Sequence, residues 1–393
     1  MTAAPDAGLG RRVVLLAGVA FALESALYSA AAPLLPYFKA ELGISKSAAG
    51  VLAGAYAAGC LPGALLGAWV VARATLRQIT VAAFAVLAAA TLAFGLATSI
   101  AVLDAVRFVQ GVAAGCLWAV LLTWMIAAAG PARRGQAIGG VMGASVVGTL
   151  IGPMIGTLAG TVSVAGTFVA VAVLCVAVSL ALARVQPPGR PATEAGTSVP
   201  AALRKGRVRR LTGVNLLPGM VVGAIFLLVP LRLDELGASA FEIGATFLLA
   251  GVVAAMLSPA AGRLCDRSGP RGLAGIGLVS LGAGTALLWL PGTVALLAVV
   301  VMVVIGGCAT FTFVPGMTLL SEAAERAGVA PGPVAALVGA SFPTGEMIGA
   351  PIAAALADAA SDALSYSLYA GLCIATGAAL LGRRLTPATA GGS

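Results

Sequence analysis

Histidine is absent from this 393-residue chain, and charged side chains make up only 9% of it. The first absence removes imidazole metal ligands and histidine proton relays. The second removes a water-wetted surface: soluble domains carry roughly 25% charged residues, so lipid must cover much of a chain this poor in charge. Lysine is scarce as well, with Lys39, Lys46 and Lys205 standing against many arginines. Six cysteines (Cys60, Cys116, Cys175, Cys265, Cys308 and Cys373) are scattered singly, in no spacing that makes a metal site or a disulfide framework. There is no Gly-x-x-x-x-Gly-Lys-Ser/Thr loop for ATP hydrolysis and no nucleophile–base set. Neither an enzyme nor a metal or other cofactor is expected.

What is present is apolar and arranged in blocks. Sixty per cent of the residues are hydrophobic, and the mean hydropathy is +1.06. Crossing the hydrocarbon takes about 20 residues of helix, and in lipid the backbone must satisfy its own hydrogen bonds, as a helix or a closed barrel. Barrel strands alternate apolar and polar positions, whereas stretches 81–97 and 164–183 are apolar on every face. The predicted fold class is therefore all-α and polytopic. Twelve spans are expected, at 13–36, 47–72, 78–98, 101–127, 135–160, 163–184, 211–231, 240–262, 271–290, 293–319, 332–357 and 363–382. The first holds Glu24 and is read as a retained span, not a secretory signal.

Twelve spans put both termini on one side, and short cytoplasmic loops gather Arg and Lys. Nineteen of the 23 basic residues fall on the side of the termini, among them Arg73, Arg133, Arg190, Arg204, Arg263, Arg326, Arg383 and Arg384. Lys39, Lys46 and Arg232 fall on the other side, and Arg107 lies within a span. Both termini are thus expected in the cytoplasm. A composition rich in Ala, Gly, Val and Arg fits a bacterial source, so the expected location is a bacterial inner membrane. The net charge of +9 belongs to this topological pattern, and nucleic-acid binding is discarded.

A polar stretch at 185–210, rich in Pro, Gly, Ser and basic residues, divides the spans six and six. It is read as a flexible cytoplasmic linker between an N-terminal bundle, 1–184, and a C-terminal bundle, 211–393. The halves echo each other. Gly148-Thr149-Leu150-Ile151-Gly152-Pro153 resembles Gly345-Glu346-Met347-Ile348-Gly349-Ala350-Pro351, in the corresponding helix of each half. Two pseudo-symmetric six-helix bundles with nested repeats are a transporter architecture.

An ionisable side chain at mid-membrane costs at least about 2.5–3.5 kcal/mol, so each one needs a reason. Glu24 lies midway along the first span, with Tyr28 one turn on, and Glu346 lies midway along the eleventh. Asp104 and Arg107 are three apart in the fourth span and share a face. A carboxyl that alternates between apolar and cationic surroundings changes its proton affinity and can load and release a proton. Glu24 is the candidate for that task, with Arg107 holding its charge or exchanging it with a bound cation. The competing reading is static: Asp104 paired to Arg107, and Glu24 hydrogen-bonded to a neighbour. Gln110, Asn215, Trp118, Trp124, Phe226, Phe311 and Phe313 are possible cavity lining, each read first as packing or lipid contact. Gly148, Gly152 and Gly156 fall on one face of the fifth span, where another backbone can approach closely. Pro153 removes a helical hydrogen bond there. That face is either a hinge or seal, or ordinary small-residue packing. Gly262 to Arg271 joins the eighth and ninth spans, with Gly269 and Pro270 making the turn. Asp266 is expected to accept from the first amides of the ninth helix or to pair with a basic side chain.

These motifs together resemble the major facilitator superfamily, and within it the twelve-span drug-efflux type. Gly262, Leu264, Asp266, Arg267, Gly269 and Arg271 match every defined position of the family's signature loop, Gly-x-Leu-x-Asp-Arg-x-Gly-x-Arg, which implies a gating latch. Leu103 to Gly115, with Arg107, Gln110 and Gly111, resembles the fourth-helix motif, whose arginine is associated with proton coupling. Gly148, Gly152, Pro153 and Gly156 resemble the fifth-helix antiporter motif, typical of exporters. Similar exporters often carry an acid where Glu24 stands. The N-terminal copy of the signature loop departs from the pattern: Gly67-Ala68-Trp69-Val70-Val71-Ala72-Arg73 has Val71 in place of the aspartate.

The resemblance implies a monomer that exchanges protons for a small amphipathic compound, cationic or neutral, by rocking of two halves. Uptake by proton symport is the second reading, and a non-transporting sensor or partner with the same fold is the third.

Overall fold

The computed structural model describes residues 7–71, 73–129, 134–185, 199–329 and 331–382. Arg133, Arg190, Arg383 and Arg384, used above for topology, lie outside the described residues, as does 186–198 of the expected linker.

Each apolar run closes into helix, and no strand occurs among the described residues. In the first half these are α1 (Ala7–Ser29), a 3-10 turn (Ala32–Leu34), α2 (Leu35–Leu42), α3 (Lys46–Val71), α4 (Leu76–Leu96), α5 (Ile100–Ala129), α6 (Arg134–Thr161) and α7 (Val164–Ala183). The second half comprises α8 (Val199–Arg204), α9 (Gly206–Glu235), α10 (Ala240–Ser268), α11 (Pro270–Leu287), α12 (Val294–Val301), a π-helical segment (Met302–Ala309), α13 (Thr310–Arg326), α14 (Pro331–Ala359) and α15 (Asp362–Gly382). Polar side chains do local work at the helix ends. Thr75 and Gln78 form a reciprocal capping box ahead of α4, while Ser163 and Thr293 cap α7 and α12.

Ten segments among the described residues are long and apolar enough to cross a bilayer. The ninth and eleventh predicted spans correspond to α11 and α14. At 18 residues α11 is about 27 Å long, and its five glycines dilute its hydropathy. Two expectations need correction. The stretch 199–210 is helical where a flexible linker is expected, and α9 begins at Gly206 instead of 211. Ala202 and Val208 are fully buried there in a cluster with Leu320, Ala324 and Val334. The tenth span, expected as a membrane helix at 293–319, widens into π geometry between Met302 and Ala309.

The chain divides into two compact units, Met1–Thr193 with Ser239–Leu248, and Glu194–Ala238 with Leu249–Ser393. In the first, α1 packs on α6, α3 on α5 and α4 on α7. Lipid gives helices no hydrophobic reason to associate, so close backbone contact must do it, which calls for small residues. The α3–α5 seam shows this: a Cβ added to Gly111 would lie 1.9 Å from the Tyr56 carbonyl oxygen, and one on Gly63 2.2 Å from that of Val112. In the second unit α9 packs on α14 and α11 on α15.

Candidate functional site

Glu24 comes from the middle of α1, and three elements supply it with donors. The Tyr56 hydroxyl of α3 donates to Oε1 at 2.7 Å, and the Trp118 indole N–H of α5 donates to Oε2 at 2.8 Å. The adjacent Ser25 hydroxyl reaches Oε2 at 3.2 Å. At 4% exposure the carboxyl has little access to water, and an acceptor-only group in a dry place needs such donors. Phe21 meets the Trp118 ring edge-on at 5.0 Å, and Tyr28 leans on Tyr56 at 5.5 Å. The acid is thus boxed in aromatic carbon.

Arg107, 3% exposed, rises from α5 into the same region. Its guanidinium donates to the carbonyls of Leu27 (3.1 Å) and Tyr28 (3.2 Å) and to Gln110 Oε1 (3.1 Å). It also lies over the Tyr56 ring, 4.5 Å from the centroid. Its Nε has no hydrogen-bond partner. Gln110 passes the network on, donating to Thr91 of α4 at 3.2 Å. Among the described residues no ion pair joins Arg107 to Glu24 or to Asp104. The static Asp104–Arg107 pair is therefore overturned: the long arginine reaches across to α1 carbonyls, and Asp104 Oδ1 is left buried without a partner. Tyr28 joins the site through its carbonyl and ring.

The fifth-span glycines seat the acid-bearing helix. Cβ atoms on Gly148, Gly152 and Gly156 would lie 2.0, 2.4 and 2.2 Å from the carbonyl oxygens of Ala22, Ala26 and Ala30 on α1. Ser29 donates to the Thr149 carbonyl, and Ser25 shares a hydrogen bond with Ser145, fixing α1 against α6. Pro153 stands inside α6 at the same seam.

Other predicted residues lie in the second unit. Asn215 of α9, 1% exposed, donates to the Ser341 hydroxyl at 2.6 Å, while its Oδ1 has no hydrogen-bond partner. Glu346 is buried on α14 and its backbone meets Gly223 of α9. In the signature turn, Gly269 adopts φ 77° and Pro270 opens α11. No side chain caps that helix, so Asp266 does not take the capping role expected of it. It sits exposed on the last turn of α10 with Arg267. Arg271 instead donates to the Leu380 carbonyl of α15, and Gly262 has open space around it. A cavity of about 710 Å³ lies among α10, α11 and the π segment, lined by Val253, Leu257, Ile276, Met302 and Phe311, with Ser280 and Cys308 its polar members.

Sequence reasoning missed Tyr56 and undervalued Trp118. The available signal was a phenol and an indole at mid-span, groups that seek a hydrogen-bond partner when buried. Among the described residues no cluster of metal-binding side chains occurs.

The Major Facilitator Superfamily profile matches residues 15–335. A chloramphenicol resistance protein from Streptomyces lividans is 30% identical over 333 residues, which cover 82% of this chain and 83% of that protein. Among solved structures, the nucleoside transporter NupG superposes with a TM-score of 0.77 at 14% identity, covering 96% of this chain and all of that one. A D-xylose-proton symporter gives 0.75 at 18% identity, over 99% of this chain and all of that one. At such identities the structural likeness establishes the fold alone.

Proposed function

The chain belongs to the Major Facilitator Superfamily, and we propose that within it the protein is a proton-coupled exporter of small amphipathic, cationic or neutral compounds. That it is a multi-pass membrane transporter of a small molecule, and not an enzyme, follows from the family and the apolar helices. The observation that carries the finer reading is Glu24: a carboxyl buried at mid-span, held by donors from α1, α3 and α5, with a buried arginine one side chain away. Intramembrane carboxyls are costly and mark proton or substrate pathways. Glu24 would take a proton from one side and yield it to the other, while cargo moves against it. Protonation would weaken its hold on the three donors, for which cargo would then compete.

Outward flux is supported by the antiporter-like seam of α6 and by the chloramphenicol resistance of the relative. Acids at Glu24 and Glu346 favour cationic or neutral cargo over multivalent anions. The protein would work as a monomer in a bacterial inner membrane with both termini in the cytoplasm. The signature turn at Gly262–Arg271 would act as its gating latch, and the N- and C-terminal bundles would move about the linker.

The test is a pH-gradient assay in everted vesicles carrying the protein, with chloramphenicol, lipophilic cations and organic acids as probes. Dissipation of the gradient by chloramphenicol or a cation is expected. A substrate that moves only with the proton gradient, outward from the everted vesicle lumen, would make the protein a symporter and overturn the proposal.

A further inference from the structure

We propose that Tyr56 is the positioning residue that ties the proton state of Glu24 to the placement of Arg107, an inference that rests on reading Glu24 as the coupling acid. Glu24 and Arg107 share no ion pair, yet Tyr56 touches both. Its hydroxyl donates to Glu24 Oε1 at 2.7 Å, and its ring face lies under the guanidinium at 4.5 Å. The Tyr56 backbone is pinned, because a Cβ on Gly111 would meet its carbonyl at 1.9 Å. Only the side chain is left to respond.

The neighbours of Arg107 make that response consequential. Its hydrogen bonds go to two carbonyls and an amide, all neutral acceptors, and its Nε has none. The aromatic face supplies an attraction that a buried cation with neutral partners needs. When Glu24 is a carboxylate, the phenol points its proton at Oε1. Protonation removes the charge that strengthens this bond, and a proton on Oε1 itself turns that oxygen into a donor to which the phenol can respond by accepting. Either change weakens the bond that holds the phenol in place, and its ring is the floor on which Arg107 rests. A proton event at α1 thus loosens the seat of Arg107 on α5 without direct charge contact.

Groups from five helices face this pair. From α1 come Glu24 and Tyr28, from α5 Arg107, and from α3 itself Cys60. From α4 come Thr91 and Phe94, through Gln110 and Arg107, and from α6 Ser145, through Ser25. Arg107 is the cation in this set, and Glu24 the carboxylate.

pH-difference infrared spectroscopy on the purified full chain in proteoliposomes tests this without any substrate. The carboxyl band missing from Glu24→Gln identifies Glu24, and the guanidinium band altered in Arg107→Lys identifies Arg107. In the wild type, the carboxyl, phenol and guanidinium bands are expected to change at one common midpoint. In Tyr56→Phe the carboxyl band still titrates, but the guanidinium response at that midpoint is lost. A guanidinium band silent at the Glu24 midpoint in the wild type would overturn the inference, even if Tyr56→Phe fails to fold. So would a Tyr56→Phe protein that keeps the response. A Glu24→Gln protein with an unchanged carboxyl band would remove the coupling-acid reading itself, and the inference with it.

Discussion

In the first unit α1 lies on α6 with Gly148, Gly152 and Gly156 under the carbonyls of Ala22, Ala26 and Ala30; in the second, α9 lies on α14 with Gly345 and Gly349 under those of Leu216 and Met220. The seams are alike, down to Cβ distances of 2.0–2.4 Å in one and 2.2–2.3 Å in the other. What the two helices carry is not. α1 presents Glu24 with three donors and an arginine beside it, while α9 presents Asn215 with one serine and an unsatisfied oxygen. Backbone-to-backbone packing in lipid has few solutions, and both halves use glycine for it. A buried polar group is under no such constraint, so chemistry can sit in one half while the scaffold is shared.

The comparison can be broken first at the seams. Gly152→Val and Gly345→Val should both abolish folded protein, measured as loss of the monodisperse peak in detergent. Overpacking costs about 1–3 kcal/mol where neighbours can adjust, and a carbonyl 2.2–2.4 Å away on a packed helix has little room to do so. If only one variant collapses, the halves are not built alike.

The second break is chemical and should be one-sided. In cells expressing the protein and challenged with a compound it is found to export, Glu24→Gln should remove the resistance. Asn215→Ala should reduce it about fivefold, the equivalent of one buried hydrogen bond of about 1 kcal/mol. Equal losses would place coupling in both units.

The smallest effect is expected at the loop without its aspartate. There Arg73 lies over the Trp69 ring at 3.9 Å and donates to the Trp69 carbonyl. An exposed cation–π contact is worth about 0.5–1 kcal/mol, so Arg73→Ala should lower the thermal midpoint slightly and leave transport intact. A transport defect would mean that this stack substitutes for the missing carboxylate.

The spans and the candidate acid were legible in the sequence because both follow from cost: apolar runs need lipid, and a carboxyl at mid-span needs a purpose. Glu24 and Arg107 were found on that ground, and the structure brings them together around α1, α3 and α5 with Gln110, which was read first as packing. Spacing could not say where Arg107 points. Three residues apart means one shared face with Asp104, but a long side chain chose the carbonyls of another helix. Tyr56 and Trp118 were hidden because a phenol and an indole cost little in an apolar span, so nothing in the composition marks their polar ends. The early start of α9 was hidden by Arg207, Arg209 and Arg210, which read as loop although a helix can continue past the membrane surface. The π segment at Met302–Ala309 has no signal in an unbroken apolar run.

The central claim is that Glu24 carries the exchanged proton, and proton flux measures it directly. Wild-type, Glu24→Gln and Asn215→Ala proteins would be reconstituted with an internal pH indicator, and chloramphenicol added to start exchange. The account predicts substrate-driven proton movement in the wild type and in Asn215→Ala, and none in Glu24→Gln. Proton movement persisting in Glu24→Gln would contradict it and return the acid to a structural role.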